Sequence, residues 1–248
     1  MNPTPRPLSD RPRLLCVGIN HASARLEVRE RYALSKPAQA RVLLRAKQNP
    51  PAGLHEVAVL STCNRTELYG VGEAGIDANT LLGLLEHVRV SEGDLGHYGY
   101  VKEGAAAQEH LLRVAAGLDS QVLGESEILG QVREMLELAQ EVGTLGPVLS
   151  KLLQQALRAG KRVRHETGLG EGILSHSSLV ARMLNHEAAA LPAPSVLIVG
   201  AGSMARSALL GLERGRFGWV WVANRTLGRA RELAEQAGAE AVGLEAMG

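Results

Sequence analysis

The sequence predicts an α/β protein in two parts: an α+β portion of ferredoxin-like β-α-β-β-α-β type extended by helices, then a doubly wound Rossmann-type portion. Three observations carry this. Short β-branched runs alternate with helical spacings as far as Val101. From Ala105 to about Met183 the spacing is helical alone. Beyond the small-residue and proline stretch Ala188–Ser195, a β-branched strand runs directly into Gly200-Ala201-Gly202-Ser203-Met204-Ala205.

Met1–Pro12 is polar and Pro-rich and reads as a flexible leader without the apolar core of a secretory signal. Leu14–Ile19 reads as a buried strand, and Pro37–Gln48 as a helix stopped by Asn49-Pro50-Pro51. Glu56–Ser61, Glu67–Val71 and Tyr98–Val101 are the next strands, with a helix from Asp77 to about Val90 before the last of them. Leu111, Val114 and Leu118, then Ile128, Val132, Met135 and Ala139, line apolar helix faces. Gly143–Pro147 breaks the run, and Ala188–Ser195 is the expected linker. Ser195–Val199, Trp219–Ala223 and Glu240–Leu244 are strands separated by helices to Arg214 and over Leu227–Ala237, half of a doubly wound fold. The sheet edge after Glu240–Leu244 is expected to be open to association.

Composition excludes several classes. The chain has 45% hydrophobic residues and a net charge of +1, from 27 Lys and Arg against 26 Asp and Glu, so it is neither a disordered chain nor a uniformly basic nucleic-acid binder. No apolar run approaches the ~18 residues of a membrane helix. The two cysteines in 248 residues read as free thiols of a reducing, cytoplasmic compartment. Aromatics at 3% leave little for base-stacking platforms.

In the glycine turn, Gly200 permits the bend, Gly202 lets a pyrophosphate approach the backbone, and Ala205 lets the helix lie close to the strand. The following strand ends in Asn224-Arg225-Thr226, with an arginine where NAD-binding chains place an acid. That favours NADP(H); the bland reading of Arg225 is a solvated loop charge. The Cys63 loop, Ser61-Thr62-Cys63-Asn64-Arg65-Thr66-Glu67, follows a strand, and a cation two residues away is expected to favour a nucleophilic thiolate. Cys16, inside an apolar run, reads as a core residue. No residues are assigned to a metal. Lys151–His165 carries five Lys and Arg and no acid, which reads either as a solvated helix face or as a contact to a phosphate backbone.

The segment STCNRTELY resembles the signature of the glutamyl-tRNA reductase family. Gly18-Ile19-Asn20-His21, Val28-Arg29-Glu30-Arg31, the block His110–Ser120, Val122-Leu123-Gly124-Glu125, Ile128–Val132 and Ala159–Arg164 are similar to that family in the same order. The resemblance implies an NADPH-dependent reductase of glutamyl-tRNA(Glu), the first enzyme of the five-carbon route to tetrapyrroles. Cys63 would attack the aminoacyl ester to give a thioester. Thr62, Asn64, Arg65, Ser120, Glu125, Ser126, Glu127 and Gln131 would line the glutamyl pocket, His110 would serve the chemistry, and Gly200–Ala205 with Asn224, Arg225 and Thr226 would hold NADPH, whose hydride gives glutamate-1-semialdehyde. By residue, it implies a catalytic substrate-binding domain at 13–150, connecting helices and linker at 151–190, and the first half of an NADP-binding domain at 191–248.

The family is a homodimer with a helical dimerisation domain absent from these residues, and an aminomutase that consumes the aldehyde is an implied partner. Ala22, Arg25, Ser126 and Glu127 depart from its usual Lys, Pro, Pro or small residue, and Gln. Two other readings stand beside this one: a different NADP oxidoreductase similar to shikimate dehydrogenase, and a truncated, non-catalytic relative that binds glutamyl-tRNA or a regulator.

Overall fold

A computed structural model describes residues 12–85, 97–169 and 176–247. In the first unit, β1 (Arg13–Asn20), α1 (Leu26–Tyr32), α2 (Lys36–Gln48), β2 (Leu54–Ser61), β3 (Arg65–Gly72), α3 (Ala78–Leu82) and β4 (Tyr100–Glu103) follow in order. The sheet order is β2-β3-β1-β4, every neighbour antiparallel. This is the ferredoxin-like arrangement the sequence predicts. Every residue of β3 is buried, so the sheet centre is covered on both faces; β1 reads as a near-continuous apolar run, whereas β3 carries Arg65, Thr66 and Glu67 into the interior.

Three helices follow: α4 (Gly104–Ala116), α5 (Glu127–Val142) and α6 (Pro147–Glu166). Leu111, Val132, Leu149 and Leu153 join Leu15 and Tyr69 in one core. Ile128, Val132, Met135 and Ala139 are all buried, as their spacing predicts. Gly143 ends α5 and Pro147 begins α6. The buried Glu56 carboxylate of β2 accepts from Val148 N at 3.1 Å and Leu149 N at 2.6 Å, capping the positive end of α6.

Four expectations are corrected. Helix α1 is additional; Val28 and Tyr32 seat it against Ile19 and Ala24. The fourth strand is Tyr100–Glu103, because pairing with β1 runs from Leu15↔Glu103 to Gly18↔Tyr100. Leu118 is off the helix and exposed, since Gly117 takes the left-handed φ of 79° and terminates α4. Asp77 does cap α3, accepting from Thr80 N at 2.9 Å, but α3 closes at Leu82. The expected helix residues 86–90 and most of the leader, 1–11, lie outside the described residues.

The chain divides between Glu171 and Gly172, not at the expected linker at 188–195. Helix α7 (His176–Ala188) belongs to the second unit: Ala181 lies in its core, and the Asn185 amide donates to Gly211 O at 3.1 Å and accepts from Glu213 N at 2.9 Å. Then come β5 (Ser195–Val199), α8 (Ser203–Leu210), β6 (Trp219–Asn224), α9 (Leu227–Ala237) and β7 (Glu240–Gly243), forming a parallel sheet of order β5-β6-β7. Leu209, Ala230 and Leu233 pack on Val196, Val220 and Val222. The opposite sheet face carries Val199, 62% exposed, and Trp219, 54% exposed. Exposed apolar surface therefore lies on a face of β5 and β6 rather than only along the expected edge after β7. Among the described residues no helix is long and apolar enough to cross a membrane.

Candidate active site

Cys63 and Asn64 form the tip of the β2–β3 hairpin. Thr62 N donates to Arg65 O at 2.8 Å, and the Thr62 hydroxyl accepts from Asn64 N at 3.1 Å and Arg65 N at 3.2 Å. The Ser61 and Thr66 hydroxyls lie 2.9 Å apart below the tip; Leu34 N donates to Ser61, and Thr66 donates to Tyr32 O. Thr62 thus satisfies backbone groups of the turn, while Ser61 and Thr66 tie its base to the backbone of Leu34 and Tyr32. The result is an exposed thiol on a fixed mount.

Arg65 does not accompany Cys63. It opens β3, and the pleat turns its side chain inward beside Glu67, where it is 1% exposed. Its Nη1 donates to Glu67 Oε1 at 2.8 Å and to Asp119 Oδ2 at 3.0 Å, and its Nη2 donates to Asp119 O. Glu67 has no exposed side-chain surface and also accepts from Tyr69 Oη at 2.7 Å, Tyr100 Oη at 2.5 Å and His110 Nε2 at 2.9 Å. Burial alone would raise the Glu67 carboxyl; the His110 hydrogen bond and the Arg65 guanidinium outweigh it and bring the pKa down to about 2. Cys16 lies against this cluster, and Cys16, Glu67 and His110 are close enough to share an ion. Glu67 already takes four donors and burial holds Cys16 well up as a thiol, so the group reads as packing.

The expected thiolate at Cys63 is also corrected. Burial pushes its thiol up, Glu125 and Glu127 add to this, and the cation acting against them is Arg29. Cys63 is a neutral thiol in this setting near pH 7. Glu125 is buried, while Ser126 and Glu127 are exposed at the start of α5. The Gly124 and Glu125 carbonyls accept from Arg164 Nη1, at 2.9 Å, and Nη2 respectively. One member of the basic run on α6 is therefore a structural anchor, and Arg162 is paired with Glu166 at 2.8 Å. The Ser120 hydroxyl is buried without a partner. Gln131 lines a cavity of about 380 Å³ with Ser61, Leu34 and Met135. Glu67, Asp119 and Tyr100 do not stand out in the sequence, and Arg164 reads there only as one charge of a basic run. The period-2 row Arg65, Glu67, Tyr69 was the available signal for the first; His110 and Asp119 reach it only through the fold.

In the second unit, Gly200 has φ 115°, a conformation that favours glycine, and its N–H donates to Ala223 O at 2.7 Å. A Cβ placed on Gly200 or Gly202 meets nothing within 4 Å. These glycines hold open space at the start of α8, where Ala201, Gly202 and Ser203 border a cavity of about 340 Å³ flanked by Arg206 and Arg229. An open cradle, free helix N–H groups and two guanidinium groups fit a dinucleotide pyrophosphate. Met204 and Ala205 continue into α8. Arg225 is exposed after β6, between Asn224, whose amide donates to Thr226 O at 3.0 Å, and Thr226, which opens α9. Arg206 lies on α8 and Arg229 on α9, and neither stands out in the sequence.

Comparisons with known proteins agree with this division. Residues 17–167 match the family described as glutamyl-tRNAGlu reductase, N-terminal domain, and residues 182–248 match shikimate / quinate 5-dehydrogenase. The glutamyl-tRNA reductase of Saccharophagus degradans is 43% identical over 92% of this chain and 53% of its own length. That of Thermus thermophilus is 44% identical over 94% of this chain and 56% of its own. The solved glutamyl-tRNA reductase from Methanopyrus kandleri superposes with a TM-score of 0.59 at 33% identity, over 97% of this chain and 55% of that one. The chain spans about half the length of these relatives. With the cysteine hairpin on the first unit and the glycine cradle on the second, both within matched regions, the chain belongs to the glutamyl-tRNA reductase family.

Proposed function

We propose that this chain carries the thiol site and the adenosine-pyrophosphate site of an NADPH-dependent glutamyl-tRNA reductase, which opens tetrapyrrole synthesis by making glutamate-1-semialdehyde. The observation that carries the reading is the exposed Cys63 thiol on a hairpin tip fixed by Thr62. Cys63 Sγ attacks the carbonyl carbon of the glutamyl ester. An S–C bond forms, the bond to the tRNA ribose oxygen breaks, and the thiol proton ends on that oxygen. The remaining donors of Arg65, with Thr62, Asn64, Ser120 and Gln131, orient the glutamyl group; Glu125, Ser126 and Glu127 form the rim toward α5.

NADPH, when bound, supplies the hydride that takes the thioester to the aldehyde and returns the thiol. Gly200–Ala205, with Arg206 and Arg229, would cradle its pyrophosphate, and Arg225 would read the 2′-phosphate. A reducing cytoplasm keeps Cys63 reduced, and the reactive aldehyde suits hand-off to an aminomutase. The reading is tested by incubating the chain with glutamyl-tRNA. A glutamyl adduct found by mass spectrometry on Cys63, and lost in Cys63→Ser, is expected; tRNA deacylation that is unchanged in Cys63→Ser overturns it.

A further inference from the structure

His21 Nδ1, Arg29 Nε and Ser120 Oγ are buried without a hydrogen-bond partner, and all three belong to segments around the Cys63 hairpin. His21 is the first residue past β1. Asn20 pairs with Arg65 in the last rung of the ladder, so His21 leaves β1 at the end of the sheet from which the Cys63 hairpin projects. The charged groups that face His21 are Arg65, Asp119, Arg29 and Glu125. Two of these, Glu125 and Arg29, also face Cys63. The two side chains therefore occupy one electrostatic neighbourhood. The other site histidine, His110, has its Nε2 committed to the fully buried Glu67.

We propose that His21 is the proton carrier of the acylation step: it accepts the Cys63 thiol proton as the S–C bond forms and donates it to the departing ribose oxygen as the C–O bond breaks. The proposal rests on the Cys63 reading. The proton passes from sulfur to imidazole to oxygen, with no change in oxidation state and no further reactant. Both ends of the transfer suit the site. Burial, with Arg65 beside it, holds the imidazole below its ordinary range, so it is neutral and able to accept near pH 7. Cys63 is a thiol there, so attack needs an acceptor. Asp119 and Glu125 face the imidazolium that forms and stabilise it transiently.

The experiment measures single-turnover acylation of the chain by glutamyl-tRNA between pH 6 and 9, for the parent, His21→Asn, His21→Ala and Cys63→Ala. A general base contributes about 10²–10⁴-fold. The expected result is a fall of at least about 10²-fold at pH 7 in both His21 variants, a profile that climbs to higher pH as the thiol ionises unaided, and partial rescue of His21→Ala by added imidazole. Parent-like rates in His21→Asn, or a loss uniform across pH without rescue, overturn the proposal while leaving Cys63 in place. Acylation persisting in Cys63→Ala sinks the Cys63 reading itself and the His21 role with it.

Discussion

His110 Nε2 lies 2.9 Å from Glu67 Oε1, joining α4 to a strand residue with no exposed side-chain surface. This contact, with those from Arg65, Tyr69 and Tyr100, ties the hairpin that bears Cys63 to the helical layer. Removing one partner of a buried charged pair strands the other. Glu67→Ala should therefore cost about 3–5 kcal/mol of stability by removing the buried partner that Arg65, Tyr69, Tyr100 and His110 share, even with Asp119 still beside Arg65. Urea unfolding of the variant against the parent measures it; a loss below 1 kcal/mol would show that the network is not closed.

The same carboxylate sets an acid limit. Its folded pKa of about 2 lies below the ~4.3 of an unfolded Glu, so the unfolded chain binds the extra proton. The Glu67 contribution is fully present above about pH 4.3 and is lost as pH falls from there toward 2. Thermal midpoints between pH 6 and 3 should fall more steeply for the parent than for Glu67→Gln, whose residue 67 no longer titrates. Parallel curves would contradict this.

Glu127 is exposed and adds to the upward push on Cys63. Glu127→Gln should lower the thiol pKa and raise the alkylation rate at pH 8 by a few fold, because the thiolate is the nucleophile. Iodoacetamide labelling read by mass spectrometry checks it, with Cys16, fully buried, as the unreactive internal reference. A rate unchanged or lowered by the substitution would remove Glu127 from the thiol's surroundings.

Gly202 has φ −83°, and a Cβ there meets no atom of the chain. Gly202→Ala should cost no more than about 1 kcal/mol of stability at this N-cap while weakening NADPH binding at least tenfold, since the methyl occupies space the pyrophosphate needs. Titration calorimetry and thermal unfolding separate the two effects; unaltered binding would mean the cradle does not take the phosphates.

Arg225→Asp should shift binding preference from NADPH toward NADH by removing a cation for the 2′-phosphate and supplying an acceptor for the ribose hydroxyl. Direct binding of both cofactors to parent and variant decides it. A constant ratio would mean that Arg225 does not read the phosphate.

The architecture was legible where one rule dominates. Apolar runs marked the buried strands, Gly143 and Pro147 marked a helix break, and Gly200–Ala205 marked a strand-turn-helix crossing. The thiol's surroundings were not. Arg65 is two residues from Cys63 along the chain, yet strand pleating and its pairing with Glu67 and Asp119 carry it into the core. Adjacency in sequence placed a cation beside the thiol; the fold placed Glu125 and Glu127 there, from a loop shaped by Gly117, Gly124 and Arg164. The domain boundary was missed for a similar reason. Ala188–Ser195 has linker composition, but Ala181 and Asn185 just before it are already bound to the second unit.

Trp219 and Trp221 are the only two tryptophans of the chain and stack with ring centroids 5.8 Å apart on the uncovered face of the second sheet. The four tyrosines, Tyr32, Tyr69, Tyr98 and Tyr100, all belong to the first unit. The molecule thus comes with its two halves spectrally labelled. Emission excited at the red edge, where only indole absorbs, reports on the cofactor-type unit alone. Because Trp219 is half in solvent, its colour will register anything that settles on that sheet face while the thiol-bearing half stays dark.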